Sequence, residues 1–202
     1  MGNTHVFDWS GLTVAHLRPT YFAEWLLYLA PMIRAGLLHV QFGPGRHAPI
    51  ATEDQARVIV GILEDPAAHR GKIYALYGAV EFTYKEIAQV LSRVLGKDVQ
   101  YKQVSIETML QIMASAGQKP PAEHSAKAMY GEFASSRAER WAFEQKPEGR
   151  RGDSFFIQHL REVAIDHQNG VFAGTNDVVK KIGGRQPTTL EEFITKHREA
   201  FA

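Results

Sequence analysis

The stretch LTVAHLRP, Leu12 to Pro19, limits the possible folds more than any other part of the chain. It is rich in strand formers and is closed by a proline that cannot donate to a ladder. Leu12, Val14, Ala15 and Leu17 fall on both parities, so a strand here is apolar on both faces. Strands of that kind belong in the middle of a parallel sheet covered by helices. LLHVQF (Leu37 to Phe42) and KIYALYG (Lys72 to Gly78) read as further strands, and DVQYKQV (Asp98 to Val104) alternates as a half-exposed edge strand would.

Helical segments separate these strands. From Tyr21 to Ala35 the residues Phe22, Trp25, Leu26, Leu29 and Ile33 recur at helical spacing; Pro31 is expected to kink or divide the helix and Gly36 to stop it. Thr52 with Gln55 reads as a capping box, reinforced by Glu53 and Asp54 and ended at Pro66. Thr83 with Glu86 opens a helix to Leu95, capped by Gly96, and Ser105 starts another to about Ala116. The remainder reads as helical: Ala122 to Phe143, the linker-like QKPEGRRGD (Gln145 to Asp153), and Phe155 to Gln168. Thr175 is then expected to cap a short helix ending at Gly183 and Gly184, and Thr188 with Glu191 to open the last one. The pattern predicts an α/β protein, with an α/β portion over residues 1–120 and a mainly helical cap or substrate region over 121–202, forming one compact unit.

Composition narrows the functional classes. A chain of 202 residues buries about 70% of the surface it exposes when unfolded, so it needs no disulfide or metal for stability. It has no cysteine, which excludes a disulfide scaffold, a Cys-ligated metal and a Cys nucleophile. The formal charge of +1 argues against direct nucleic-acid binding. The longest apolar run, Trp25 to Ile33, is about half the ~20 residues a membrane helix needs. The opening MGNTHVFDWSG has no signal-peptide pattern, and a cytoplasmic location is expected.

Few residues point directly to chemistry. The turn GPGR, Gly43 to Arg46, has two glycines able to take positive φ. It lacks the third glycine and the following helix of a phosphate cradle, so a plain turn is the simpler reading. There is no G-x-S-x-G. His159, Glu162 and Asp166 share a helix face, for which solvation is the simpler account than a metal; no metal is expected. Asp166 and His167 are neighbours that a helix would point in different directions. Arg18-Pro19-Thr20-Tyr21-Phe22 stands out, because ligands of open α/β sheets bind beyond the carboxyl ends of strands. The alternative is structural: Arg18 as a buried ion-pairing residue, Pro19 as a strand stop and Phe22 as a core anchor.

Four segments carry a family resemblance. LTVAHLRPTYFAEWLL, GPGRHAPIATEDQARVIVGILEDPAAHRGKIYALYG, FTYKEIAQVLSRVLGKDVQY and GVFAGTNDVVKKIGGRQPTTLEEFI are similar to the later half of the NmrA-like family, atypical short-chain dehydrogenase/reductases with an NAD(P)-binding Rossmann fold. The resemblance runs from about Gly11 to Phe201 and is vaguest over Ala122 to Asp153. It implies a partial Rossmann-like parallel sheet with helices and an NAD(P)H-dependent oxidoreductase acting on a small molecule. Pro19, Thr20, Tyr21 and Phe22 would face the cofactor; Phe22, Trp25, Arg46 and His47 would face the substrate. Asp54, in the family's Asp-x-Ala, would brace a loop.

The chain departs from that family in one respect. The family's glycine-rich turn and its Tyr-x-x-x-Lys lie ahead of the Arg-Pro strand, whereas here no tyrosine precedes Arg18 and no later tyrosine has a lysine four residues on. The implied NAD(P) therefore lacks its usual clamp, and the chain is expected to supply the substrate-binding half and to bind the dinucleotide weakly or not at all by itself. The other reading is a non-catalytic, redox-sensing regulatory module with a partner surface around Tyr130, Phe133, Trp141 and Phe143. A strand apolar on both faces without flanking strands also predicts a homodimer.

Overall fold

The computed structural model describes Trp9, residues 14–115 and residues 151–202. The helix expected over Ala122 to Phe143, with the aromatic residues of the regulatory reading, lies outside them.

Strand β1 (His16–Pro19) leads into two short helices, α1 (Trp25–Tyr28) and α2 (Ala30–Arg34). The division expected of Pro31 falls at Leu29, and Pro31 sits in the first turn of α2, where a missing N–H costs nothing. Gly36 ends α2 with φ 77°. Strand β2 (Leu37–Val40) follows, then α3 (Thr52–Glu64), α4 (Pro66–His69), β3 (Ile73–Leu76), α5 (Tyr84–Leu95), β4 (Gln100–Gln103) and α6 (Ile106–Ser115). Beyond the undescribed segment come α7 (Arg151–Gln168), α8 (Val178–Gly183), α9 (Leu190–Lys196) and α10 (Arg198–Phe201).

The strands pair in parallel as expected, in two separate pairs. β1 lies beside β3, with His16 opposite Ile73 and Pro19 opposite Leu76; β2 lies beside β4, with Leu37 opposite Gln100 and Val40 opposite Gln103. Leu17, Tyr74 and Leu76 turn to one face, where they pack with Ile50 and with Val58 of α3 and Val179 of α8. Close contact of α3 and α8 requires Gly61, since a Cβ there would stand 2.2 Å from the Ile182 carbonyl oxygen. The other face carries Arg18 and Ile73, both exposed. Arg18 is therefore not the buried ion-pairing residue of the structural alternative, while His16 and Ala75 on the same face are half-buried.

The larger core surrounds β2 and α5. Leu38, Val40 and Phe42 pack with Ile33, Tyr84, Ile87 and Leu91, and residues far along the chain, Leu160, Phe193, Ile194 and Phe201, complete it.

Two of the three expected capping boxes move, for reasons visible in the contacts. Thr83 and Glu86 form theirs as read. Thr52 is not a cap: Glu24 takes over the end of α3, its Oε1 accepting from the Thr52 amide at 2.9 Å and hydroxyl at 2.6 Å. The last box is formed by Thr189 and Glu192, one residue later than expected, because Thr188 is engaged by Asp54. Thr175 does not cap α8 either; the Asn176 side chain accepts from the Val178 amide.

Candidate functional site

The carboxyl end of β1 opens onto a small aromatic cavity. The Thr20 amide extends the ladder to the Leu76 carbonyl at 2.9 Å, and its hydroxyl donates to the Phe172 carbonyl at 3.0 Å. The next residues pair with the segment before α3: Ile50 N donates to Tyr21 O and Ala23 N to Ile50 O. That pairing brings Pro49 and His47 alongside Tyr21. His47 is itself fixed by reciprocal backbone bonds with Phe82 at 3.1 and 2.8 Å. The result is a cavity of about 10 Å³ lined by Tyr21, Phe22, Trp25, His47, Pro49 and Tyr84 among others, about the room of one water or one ligand atom.

Its walls are interlocked rings. Tyr21 meets Trp25, Phe42 and His47 edge-on at 6.1, 5.5 and 5.1 Å between centroids, and Phe42 stacks on Tyr84 at 4.6 Å. Burial raises the Tyr21 hydroxyl well above the usual tyrosine range, with the neighbouring Tyr84 adding to the effect, and burial raises Tyr84 likewise. Both phenols stay protonated and neutral near pH 7. Behind His47, its Nδ1 lies 2.9 Å from Nε2 of His167, both rings being buried. Burial pushes His47 down to about 3, helped by the neighbouring His167, and burial pushes His167 down to about 4, so both are uncharged near neutrality. Trp25 Nε1 and His167 Nδ1 are buried with no hydrogen-bond partner among the described residues.

The structure gathers most of the residues singled out in the sequence. Tyr21, Phe22, Trp25 and His47 share the cavity, while Pro19 and Thr20 lie at the strand end that leads to it. Arg46 does not join them: its guanidinium pairs with Glu86 at 3.0 Å and donates to the Glu81 carbonyl at 2.9 Å, framing the turn from outside. Tyr84 and His167 were not anticipated. Tyr84 is the first residue of a helix whose capping box was legible, and an aromatic residue there was the available signal. His167 offered none, since its partner lies 120 positions away.

The GPGR turn does not fit a dinucleotide pyrophosphate. Neither Gly43 nor Gly45 takes positive φ. The open side of Gly45 is filled by His167: a Cβ there would lie 2.1 Å from the His167 carbonyl oxygen and 2.6 Å from its Nδ1. No helix begins directly after the turn to aim its amides at an anion. Gly45 serves close packing against the end of α7.

Two other features carry less. Among the described residues no group of three or more His, Asp or Glu is placed to hold a metal, and His159, Glu162 and Asp166 are exposed. A wider groove of about 710 Å³ between α5 and β4 shares no residue with the cavity. Two of its cations are engaged, Arg93 by Glu191 at 2.6 Å and Lys97 by the Phe201 carbonyl at 2.6 Å. No described helix is long and apolar enough to cross a membrane.

Asp54 braces a loop, as the resemblance implied. It is fully buried and accepts from the Thr188 amide at 2.8 Å, from the Thr188 hydroxyl at 2.9 Å, and from Arg57. Arg57 also donates to the Gly183 carbonyl at 2.9 Å, so α3 and the turn between α8 and α9 are held together.

Comparison with known proteins agrees with this architecture. The chain is 26% identical over 194 residues to the (4-alkanoyl-5-oxo-2,5-dihydrofuran-3-yl)methyl phosphate reductase of Streptomyces griseus, covering 96% of this chain and 56% of that protein. It is 26% identical over 193 residues to the NAD(P)H azoreductase of Xenophilus azovorans, covering 95% and 55%. The NADPH complex of an NADPH-dependent quinone oxidoreductase from Escherichia coli shares the fold, with a TM-score of 0.69 at 20% identity over 96% of this chain and 56% of that one. The chain thus spans about half the length of the curated relatives it matches. The sequence model of the NmrA-like family matches residues 12–194, and the chain belongs to that family.

Proposed function

We propose that this chain forms the substrate-binding portion of an NAD(P)H-dependent oxidoreductase of NmrA-like type, acting on a small unsaturated acceptor such as an azo compound or a quinone. The observation that carries the reading is the convergence of Tyr21, Phe22, Trp25 and His47 on one cavity just beyond the carboxyl end of β1, where open α/β folds bind their ligands. Phe22, Trp25 and His47 meet one atom of the substrate, the cavity having room for no more, with Arg46 bracing the turn behind them. Pro19, Thr20, Tyr21 and Phe22 form the edge against which a nicotinamide would lie. Residues 1–120 supply this edge and 121–202 the mainly helical cover.

The same reading holds that the chain alone does not bind the dinucleotide. It has no G-x-G-x-x-G, and Gly45 of its GPGR turn is packed against His167. Isothermal titration separates the two parts of the proposal. An azo dye such as methyl red is expected to bind the chain, and Phe22→Ala to weaken that binding about tenfold, the order of a lost aromatic contact. NADPH is expected to give no saturable heat. Micromolar NADPH binding at near-unit stoichiometry overturns the second part; absence of dye binding overturns the first.

The homodimer expected from the sequence is part of this proposal. Parallel sheets are covered on both faces, and on one face of β1 and β3 the side chains of Arg18 and Ile73 are exposed. A second copy of the chain covers it.

A further inference from the structure

Two neutral histidines joined by one hydrogen bond have two ways to share the protons, and the surroundings of His167 decide between them. Its Nε2 faces His47 Nδ1 at 2.9 Å, while its Nδ1 is buried without a partner among the described residues. If Nδ1 carried the proton, a buried N–H would be left unsatisfied, the rarer and costlier kind of orphan. The contact on that side points the same way. A Cβ on Gly45 would lie 2.6 Å from His167 Nδ1 and 2.1 Å from the His167 carbonyl oxygen, so a Gly45 Cα–H bond is directed at both atoms. A Cα–H faces an acceptor comfortably and an N–H poorly.

We infer that His167 is a positioning residue: its Nε2–H donates to His47 Nδ1, which holds His47 in the form protonated at Nε2 and makes the cavity a hydrogen-bond-donating site. A histidine's proton sits on whichever nitrogen the other nitrogen's hydrogen bond leaves to it. The residues that line the cavity then carry donors, His47 Nε2–H and the buried Trp25 Nε1–H, which has no partner among the described residues, while the phenols of Tyr21 and Tyr84 bond to each other. Such a wall receives a ligand through an accepting atom, a carbonyl oxygen being the simplest, and disfavours a ligand group that only donates. The assignment of the ligand atom rests on the cavity being the substrate site; the assignment of the proton does not.

Nitrogen-15 NMR of the ligand-free chain near pH 7 tests the proton directly. The expected spectrum has both histidines protonated at Nε2, with a coupling across the hydrogen bond from His167 Nε2–H to His47 Nδ1. A proton on His47 Nδ1 overturns the inference. His167→Gln, which keeps an N–H donor, is expected to leave His47 unchanged. His167→Glu, which can only accept when ionised, is expected to move the proton to His47 Nδ1 and to raise the pH at which His47 titrates. A merely structural role for His167 predicts no such move, and an unchanged His47 in folded His167→Glu sinks the positioning role. Should that variant not fold, the wild-type coupling decides alone. For the ligand atom, cyclohexanone is expected to shift the Trp25 Nε1–H and His47 Nε2–H resonances, and cyclohexylammonium to leave them in place. The reverse order, or no shift with the ketone, overturns the donor-site assignment while the methyl red titration still judges the wider proposal.

Discussion

His47 and His167 stand 120 positions apart in the chain yet share a buried hydrogen bond of 2.9 Å, which fastens the end of α7 to the segment that walls the cavity. The rings that face the pair are those of Tyr21, from the loop after β1, Tyr84, from α5, and Phe42, none of them charged. The pair therefore gains no compensating negative charge from these neighbours when it is protonated.

Acid should loosen the protein before its carboxylates titrate. The unfolded chain takes up protons on these two histidines as pH falls below about 6.5, whereas the folded chain resists until about 4 for His167 and about 3 for His47. Over that window the unfolded state binds more protons, so stability is complete above about pH 7 and falls as pH drops. Each histidine contributes up to about a tenfold loss in the folding constant per pH unit. Urea unfolding at stepped pH between 7 and 4 is expected to show this slope, and His47→Phe to flatten it. A wild-type slope near zero above pH 5 would contradict the buried, neutral pair.

Much of the fold was legible because it was local. Helical spacing, the Thr83 box and Gly96 set α5, and strand-forming runs set β1 to β3. What the sequence hid was long-range. Thr52 and Thr188 looked like caps, but Glu24 and Asp54 reach them from elsewhere and take their donors. The cavity was legible as a place, since Tyr21, Phe22, Trp25 and His47 all reach it, but Arg46 is drawn off by Glu86 and the decisive His167 comes from a helix with no local signal. The caps allow a direct comparison: Glu24→Ala should destabilise by about 1 kcal/mol or more, by loss of an end cap, and Gln55→Ala by a few tenths at most in the same denaturant experiment. A larger effect at Gln55 would restore the local capping box.

Gly45 is required for what it lacks rather than for how it bends. Its φ is not positive, so alanine meets no backbone penalty there, but the new methyl would run into the His167 carbonyl at 2.1 Å. Backbone cannot yield as a flexible side chain would, and overpacking of this kind costs about 1–3 kcal/mol. Gly45→Ala is expected to lower stability by that amount and to weaken methyl red binding by displacing His47. Retention of both would mean that the turn is free to move away from α7.

Asp54 should prove the most sensitive single carboxylate. It is fully buried, and its removal strands the Thr188 amide and takes the carboxylate from Arg57, whose guanidinium is 22% exposed and keeps the Gly183 carbonyl. Leaving a buried donor without its acceptor costs about 1–3 kcal/mol. Asp54→Ala is expected to fall in that range by calorimetry, and Asp54→Asn to recover part of it by still accepting from Thr188. Glu53 beside it, half-exposed and shared between Lys196 and Arg185, should matter much less when changed to Gln. Equal losses at the two positions would contradict the role given to burial.

The Ile73 face of β1 and β3 leads to the last prediction. Ile73 is 53% exposed on a strand whose opposite side is packed, and Arg18 stands on the same face one pair along. An apolar side chain in that position is stabilised only if something covers it, and a charge placed there disrupts a covered face while leaving an uncovered one almost untouched. Sedimentation of the wild-type chain is expected to give a dimer, and Ile73→Lys a monomer of nearly unchanged melting temperature, since the packed side through Leu17, Tyr74 and Leu76 is intact. A wild-type monomer would show that this face is tolerated open and would remove the second copy from the proposal.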